Sequence, residues 1–235
     1  MKKKNLISTL YEDDFILAVN KPPRVVSVPA AGIPLQDTIL GMVQKEFGAK
    51  SGGKSDGSDF QPFLLHRLDY ATSGVILFGK YERDREKLEN IFRDERTRKI
   101  YTTLLHGVPK GRVVKHRLAA RHSAVMVEAE THFTVQKIFR ILDVSCALVD
   151  AEILTGRKHQ IRQHFAHIGC GVVMDDMYGD KNFNRKFRLT YRLGRMFLHA
   201  GRIEFFHPLL DRMMKIEAPL WPDLVVTMKR IGRRD

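Results

Sequence analysis

The stretch His66-Arg67-Leu68-Asp69-Tyr70-Ala71-Thr72-Ser73-Gly74 places a guanidinium and a carboxylate in one short polar segment, here named the aspartate loop. Two leucines precede it, and the apolar run of residues 75–78 that follows is typical of a buried strand. We therefore expect a loop held between two apolar elements, with Asp69 partly shielded from solvent and ionised. Taken alone, the sequence of this loop is better explained by a simple turn, in which Asp69 and Ser73 hydrogen-bond the backbone, than by a functional site.

A second polar stretch, Thr155-Gly156-Arg157-Lys158-His159-Gln160-Ile161-Arg162, is here named the arginine segment. It concentrates hydrogen-bond donors at the predicted start of a helix, where free backbone N–H groups attract anions. Arg157 and Arg162 could bind phosphates or pair bidentately with a carboxylate. Taken alone, the segment fits a solvated basic helix face better.

The composition favours a basic, globular protein with a polyanionic partner. The 235 residues are 43% hydrophobic, enough for a sizeable core, and 40 Lys and Arg against 27 Asp and Glu give a net charge of +13. Two cysteines, Cys146 and Cys170, do not form a disulfide framework. The sequence contains neither a signal peptide nor an apolar membrane span, so we expect a cytoplasmic protein.

Short apolar runs outnumber helical patterns along the chain. Strands are predicted at residues 15–19, 75–78, 101–105, 132–139, 144–154 and 195–206. Helices are predicted at residues 35–47, 82–93 and 159–168. Because strands and helices do not alternate regularly, we expect an α+β fold, with flanking helices and loops around a mostly antiparallel mixed sheet.

The helix predicted at residues 159–168 has recognisable ends. Thr155 is a possible N-cap and Gly169 a natural stop. Its spacing turns Ile161, Phe165 and Ile168 inward.

The domain organisation is expected to be simple. We predict one domain over residues 1–235, with a flexible loop at residues 48–59 because this stretch is almost entirely Gly, Ser, Lys and Asp. Residues 181–195 interleave Phe183, Phe187 and Tyr191 with six basic residues. This segment could approach RNA, and an amphipathic element with a solvated face explains it at least as well.

Together these stretches resemble the RluA-type family of RNA pseudouridine synthases, whose signatures are HRLD followed by TSG and a later TGR-HQIR segment. Six motifs match in the family's order. They are Asn20 to Pro22 (NKP), His66 to Asp69 (HRLD), Lys99-Ile100-Tyr101 (KIY), Thr155 to Arg162 (TGRKHQIR), Asp176 to Gly179 (DMYG) and Leu198 to Pro208 (LHAGRIEFFHP). The resemblance implies the pseudouridine synthase catalytic fold and isomerisation of a uridine that is flipped out of structured RNA.

The resemblance also implies three catalytic roles. Asp69 matches the aspartate that attacks the target nucleoside, either at the uracil ring or through a glycal intermediate. Arg157 matches the arginine that pairs with that aspartate and stabilises its ionised form. Tyr101 matches the tyrosine that stacks on the flipped base, although by its pattern alone it fits a core tyrosine in a strand.

Substrate-binding roles follow in the same way. Arg67 matches the residue that enters the RNA stack vacated by the flipped nucleotide, or contacts phosphate. Ile76 and Leu198 match apolar positions that line the uracil pocket, and both fit ordinary core positions equally well. We expect three further substrate-binding residues in the arginine segment: His159, Gln160 and Arg162.

Two loops depart from the family pattern. Relatives often carry Gly after KP-S, where this chain has Lys21-Pro22-Pro23-Arg24, and commonly read GHP-I-GD where this chain has residues 169–176. The chain is expected to start at the catalytic domain, without the small N-terminal RNA-binding module of many relatives. RNA affinity would then come from basic surfaces, including residues 181–195 and the tail.

The expected partner is structured RNA, a tRNA or rRNA stem-loop, bound by a monomer. An isomerisation needs no cofactor. His159, His164 and His167 lack an HxxxH spacing and nearby acidic or cysteine ligands, so no metal is expected. A non-catalytic RNA-binding protein or RNA chaperone is the alternative. A kinase is excluded, because its catalytic loop has the Asp directly after Arg and its nucleotide loop is rich in glycine.

Overall fold

The structure is a computed structural model that describes residues 7–48, 60–120, 123 and 125–233. The chain divides into two compact units: unit 1 is Met1–Thr97 with Ala200–Pro219, and unit 2 is Arg98–His199 with Leu220–Asp235. The loop predicted at residues 48–59 lies outside the described residues except for Gly48, which ends a helix. A single domain over residues 1–235 stays a prediction.

Strands make up most of the regular structure. They are β1 (Ser8–Glu12), β2 (Ile16–Lys21), β3 (Phe63–Leu64), β4 (Ser73–Gly79), β5 (Arg98–His106), β6 (Val113–Lys115), β7 (Leu118–Ala119), β8 (Met126–Val127), β9 (Glu130–Ile141), β10 (Val144–Ile153), β11 (Leu198–His207) and β12 (Arg212–Glu217). The α-helices are α1 (Ile39–Gly48), α2 (Arg85–Glu89), α3 (Gln160–His167), α4 (Lys181–Tyr191) and α5 (Pro222–Ile231). Short 3-10 turns lie at Leu35–Asp37, Glu82–Asp84 and Asn90–Phe92.

Unit 1 is a sheet with α1 and α2. Its strands follow the order β1-β2-β4-β11, β3 also pairs with β4, and β12 pairs with β11. The pairs β1/β2, β2/β4 and β11/β12 are antiparallel. Strand β4 is buried along its whole length, which agrees with its continuous apolar sequence. The core includes Leu77, Leu88 and Phe205.

Unit 2 is a second antiparallel arrangement with three helices. The strand order β5-β10-β9-β6 is joined by antiparallel pairing throughout. Its core combines residues of β5, β9 and β10 with the aromatic side of α4, namely Phe183, Phe187 and Tyr191. Residues 181–191 of the segment therefore form an amphipathic helix whose aromatic side chains are buried. Whether the basic side of the segment approaches RNA stays a prediction.

The α+β class and the mostly antiparallel sheet are confirmed. The predicted strands at residues 75–78, 101–105, 132–139 and 144–154 correspond to β4, β5, β9 and β10, with ends shifted by a few residues. Short apolar or alternating runs predicted them, because each strand buries at least one face. Among the described residues, no helix is long and apolar enough to cross a membrane.

Several local predictions were wrong. The helix expected at residues 82–93 is confirmed only in part, because residues 82–92 are helical but only Arg85–Glu89 is an α-helix and 3-10 turns lie on both sides. Leu35 lies in a 3-10 turn and is 42% exposed. Thr155 does not cap α3, because the N-cap is His159 in a left-handed conformation. Ile168 is exposed rather than inward-facing, because it follows the last helical turn.

Candidate active site

The aspartate loop in unit 1 connects β3 to β4 and is held mainly through backbone groups. Leu65 N–H donates to the carbonyl of Leu77 at 3.0 Å, and Thr72 N–H donates to the carbonyl of Asp69 at 3.1 Å. Asp69 therefore opens a tight turn. Its side chain is half-buried.

Two contacts with the chain after β2 fix the middle of this loop. The Ser27 hydroxyl donates to the Leu68 carbonyl at 2.8 Å and accepts from the Leu68 N–H at 3.1 Å. Arg24 N–H donates to the carbonyl of Tyr70 at 2.7 Å. Since Ser27 and Leu68 are buried, these hydrogen bonds form away from competing water and hold the backbone on both sides of Asp69.

Arg24 explains one departure from the family pattern. It stands where relatives often carry glycine, and its φ is 62°, in the left-handed region that glycine adopts without strain. An L-residue with a Cβ pays roughly 1 to 2 kcal/mol for this conformation. In this chain Arg24 itself adopts the left-handed conformation in the turn next to the aspartate loop.

Gly74 closes the aspartate loop at a position where no side chain fits. Its φ is +120°, and a Cβ there would lie 2.2 Å from the carbonyl oxygen of Ala200. This close approach joins the start of β4 to β11 within unit 1. The glycine of the TSG motif is therefore a packing requirement.

His66 and Lys21 support the loop from within unit 1. Leu77 N–H donates to His66 Nε2 at 3.1 Å. Lys21 is fully buried and donates from Nζ to the carbonyls of Pro22 and Val25 at 2.9 and 2.7 Å. Sequence reasoning gave neither residue a role, although both lie in matched motifs.

The other predicted residues of unit 1 have contrasting surroundings. Arg67 is exposed and has no hydrogen bond or ion pair with any residue that the structure describes. Ile76 is fully buried in β4, opposite Val19 of β2. The structure thus places Arg67 at the surface and Ile76 in the interior.

In unit 2, Gln160 organises the arginine segment. Its Oε1 accepts from the Thr155 hydroxyl at 2.7 Å and from the Arg157 N–H at 3.2 Å. Its Nε2 donates to the carbonyl of Glu130 at 2.8 Å. Gln160 is 2% exposed, so one buried amide ties the loop that carries Arg157 to the start of β9.

Arg157 is half-buried, and its Nε is fully buried without a hydrogen-bond partner among the described residues. A buried guanidinium nitrogen that lacks an acceptor is costly, and such groups often occur at functional sites. The hydrogen bond from the Arg157 N–H to Gln160 Oε1 fixes the main chain at Arg157, while the side-chain Nε has no acceptor among the described residues.

Strand β5 brings Lys99 and Tyr101 next to the arginine segment. Tyr101 is 8% exposed and pairs with Ala151 of β10, and Lys99 pairs with Ile153, two residues before Thr155. The Lys99 Nζ lies 3.9 Å from where a Cβ on Gly156 would be. Burial lowers the pKa of Lys99 to about 8. The KIY motif could have indicated this lysine.

Arg162 is paired within unit 2. Its Nε and a terminal nitrogen donate to the two carboxylate oxygens of Asp175 at 2.7 and 2.9 Å. Burial by itself raises the pKa of Asp175, but Arg162 and the N–H groups of Tyr178 and Met177 outweigh this and lower it. The sequence did not single out Asp175, which precedes the DMYG motif by one residue.

His159 lies at the junction of these elements. It has φ 53° directly before α3, and its Nδ1 lies 3.2 Å from the Tyr178 hydroxyl. The remaining candidate site residue in unit 2 is Leu198, which is 4% exposed and lies at the start of β11. Unit 2 therefore gathers Tyr101, Arg157 and the start of α3 around the end of β10.

The described residues contain no group of three or more His, Cys, Asp or Glu side chains that could hold a metal ion. The expectation that the reaction needs neither metal nor cofactor stays a prediction.

Comparison with known proteins identifies the family. Residues 15–167, more than half of the chain, match the family model described as RNA pseudouridylate synthase. This range includes the aspartate loop, the KIY motif and the whole arginine segment. The chain belongs to the RNA pseudouridylate synthase family.

Curated relatives extend the similarity beyond that range. The ribosomal large subunit pseudouridine synthase C of Buchnera aphidicola subsp. Schizaphis graminum (strain Sg) is 30% identical over 233 residues, which cover 93% of this chain and 69% of the relative. The protein of the same name from Vibrio vulnificus (strain CMCP6) is 33% identical over 236 residues, covering 95% and 70%.

A solved structure supports the fold. The structure titled Human RNA Pseudouridylate Synthase Domain Containing 4 has a TM-score of 0.73 to this chain at 21% identity, covering 96% of this chain and 93% of the other. The expected pseudouridine synthase catalytic fold is confirmed. The chain is an RNA pseudouridine synthase, an isomerase that acts on RNA, and the non-catalytic alternative is not favoured.

Proposed function

We propose that this enzyme isomerises a uridine in a stem-loop of large-subunit ribosomal RNA, with Asp69 as the catalytic carboxylate. The observation that carries the assignment to Asp69 is the construction of the aspartate loop. Backbone hydrogen bonds and the buried Ser27 hold the main chain beside Asp69, and its side chain stays half-buried. A catalytic group held on such a rigid support loses little entropy when it meets the reacting atoms.

Arg157 is proposed to keep Asp69 ionised during catalysis, the role that the family motif implies. An ionised carboxylate that is partly shielded from water needs a positive partner, and a guanidinium supplies charge together with directed hydrogen bonds. The buried Nε of Arg157, which has no acceptor among the described residues, supports this role. Arg157 would then be essential without being the nucleophile.

Tyr101 is proposed to stack on the flipped base and to accept or relay a proton. An aromatic ring offers every base a flat apolar surface, and its hydroxyl can exchange a proton with the substrate. Support comes from its position on β5, the strand that also carries Lys99 beside the arginine segment.

The remaining substrate contacts follow the same motifs. We propose that Arg67 fills the gap in the RNA stack, because an exposed arginine without a partner among the described residues is available for this task. Ile76 and Leu198 are proposed to line the uracil pocket. His159, Gln160 and Arg162 are proposed as substrate-binding residues, although the Gln160 amide and the Arg162 guanidinium already have protein partners.

The decisive variant is Asp69→Asn. It should abolish pseudouridine formation, measured by carbodiimide-stop mapping on transcribed large-subunit rRNA, and leave RNA affinity within a few-fold, because the carboxylate acts in the chemical step. Asp37→Asn is the matched control in unit 1, since Asp37 is exposed in a 3-10 turn, and should stay fully active. Substantial turnover by Asp69→Asn would exclude Asp69 as the catalytic group.

The RNA itself is identified by mapping pseudouridines in cells with and without the gene. Loss of a pseudouridine from large-subunit rRNA in cells without the gene supports the proposal. Loss of pseudouridines from tRNA alone would show that the substrate is a tRNA. A monomer and a cytoplasmic location stay predictions, which sedimentation of the purified enzyme and cell fractionation test.

A further inference from the structure

Two basic segments that are far apart in sequence meet at the ends of α4 and α5. They line an open surface pocket of about 340 Å³, formed by Thr190, Arg192, Arg230 and Arg233. Three of its four lining residues carry guanidinium groups, and none is acidic. The cavity, here named the arginine cavity, lies entirely within unit 2.

Stabilisation of helix ends explains one of the three arginines. The last carbonyls of a helix carry partial negative charge and lack partners within the helix, so arginine commonly binds them. Arg230 does so, donating from a terminal nitrogen to the Tyr191 carbonyl at 2.7 Å. Its guanidinium is thereby fixed at the cavity wall.

The same explanation does not cover Arg192 and Arg233. Both are exposed, and neither side chain has a hydrogen bond or an ion pair with any described residue. Arg192 ends α4 in a left-handed conformation, with φ 56°, so its contribution to the helix end is made by its backbone N–H, which donates to Arg188. Two unpaired guanidinium groups thus share one concave site with a fixed third.

Guanidinium groups gathered around one concave site raise the local positive potential, which favours an anion at that site. Guanidinium groups match phosphate oxygens in geometry and charge, and the Thr190 hydroxyl adds a neutral donor. By contrast, Arg188, one turn earlier on α4, lies 3.4 Å from a carboxylate oxygen of Asp176.

We propose that the arginine cavity binds a phosphate of the RNA backbone, away from the base that is isomerised, and so contributes to the affinity and register of the substrate. This inference rests on the proposed function, since it takes RNA as the substrate of the same chain. The net charge of +13 attracts RNA to the protein as a whole. The proposal assigns part of that RNA affinity to one site.

The test uses the full-length enzyme and transcribed large-subunit rRNA, in filter binding over a range of KCl concentrations. Arg192→Gln and Arg233→Gln should each raise Kd roughly tenfold, as expected for one lost charged hydrogen bond. Each should also reduce the slope of log Kd against log salt by about 1, because one phosphate contact fewer releases its counterion. The double variant should reduce it by about 2.

Arg188→Gln is the matched control, since it removes the same charge from the same helix but from an arginine that already has a carboxylate nearby. It should change Kd and salt slope much less than Arg192→Gln. An equal effect of both variants would mean that only net charge matters, and unchanged binding by Arg192→Gln and Arg233→Gln would remove the site. Either result overturns the inference. The proposed function is tested separately, by measuring pseudouridine formation with the wild-type enzyme.

Discussion

The aspartate loop of unit 1 and the arginine segment of unit 2 carry the two motifs that define the family, yet they are stabilised differently. The aspartate loop is held by main-chain hydrogen bonds, by Ser27 and by the close approach of Gly74 to Ala200. The arginine segment is held by side chains, chiefly the amide of Gln160 and the ion pair of Arg162 with Asp175.

This difference suits the two proposed roles. A carboxylate that attacks a nucleoside must be placed to within a fraction of an ångström, which strand backbone on both sides achieves. An arginine that supports charge needs its main chain fixed and its guanidinium available. Gln160 provides this by binding the Arg157 N–H while Nε of Arg157 has no acceptor among the described residues.

The largest expected effect on stability comes from adding one methyl group to Gly74, with the same change at Gly156 as the comparison. Gly74→Ala combines a left-handed φ with a contact of 2.2 Å to backbone, so we expect unit 1 to lose about 3 kcal/mol or more. Gly156→Ala meets only Lys99 Nζ at 3.9 Å and should change stability by less than about 0.5 kcal/mol. Urea unfolding, with hydrogen exchange to resolve each unit, measures both.

If Gly74→Ala is insoluble while Gly156→Ala purifies like wild type, the difference between the two motifs holds. Equal stability of the two variants would show that the close approach at Gly74 relaxes at little cost and that the aspartate loop is less rigid than its contacts imply.

An intermediate effect is expected from Gln160→Ala, which removes the buried amide that ties the arginine segment together. Thr155 and the carbonyl of Glu130 lose buried partners, which costs about 1 to 3 kcal/mol in unit 2. Because displacement of Arg157 by about 1 Å is enough to slow an enzyme roughly 100-fold, kcat should fall by about one to two orders of magnitude. Single-turnover kinetics measures the rate of the chemical step.

Gln163→Ala on the same helix is the control. The Gln163 side chain donates to the exposed carbonyl of Lys158, so truncating it should leave kcat and stability near wild type. Wild-type kcat in Gln160→Ala would show that Arg157 is positioned without the amide.

The smallest expected effect is the pH dependence of the stability of unit 1, which involves Asp13 in the turn between β1 and β2. Burial by itself raises the pKa of Asp13, but His207, the N–H groups of Ile16 and Phe15, and the Tyr11 hydroxyl together outweigh it and lower the pKa from 3.8 to about 2. Since the folded pKa lies below the unfolded one, the ionised carboxylate stabilises unit 1 above about pH 4. This contribution disappears as the pH falls towards 2.

Asp13→Asn should therefore destabilise unit 1 at neutral pH and make its stability less dependent on pH between 4 and 2. Hydrogen exchange of β2 amides in wild type and variant gives the measurement, and parallel acid profiles of the two proteins would show that Asp13 is not the titrating group.

The sequence patterns predicted the positions of helices and strands better than they predicted contacts between side chains. The continuous apolar run of β4 and the helical spacing of Ile161 and Phe165 are local signals, and both elements are where they were predicted. Capping was misjudged at Thr155, because its hydroxyl is used by Gln160 five residues later. The role of Asp175 was not visible, since an acidic residue beside a motif gives no sign of which arginine it pairs with.

By itself, the sequence determined the family, the fold class and the order of the motifs, because these depend on short runs of residues and on composition. Only the tertiary structure decided that Gln160 holds Arg157, that Arg162 is paired with Asp175 and that Arg192 meets Arg230. The physical reason is that hydrogen bonds, ion pairs and charge clusters act over a few ångströms. Which groups come that close is set by strand pairing and helix packing between distant parts of the chain.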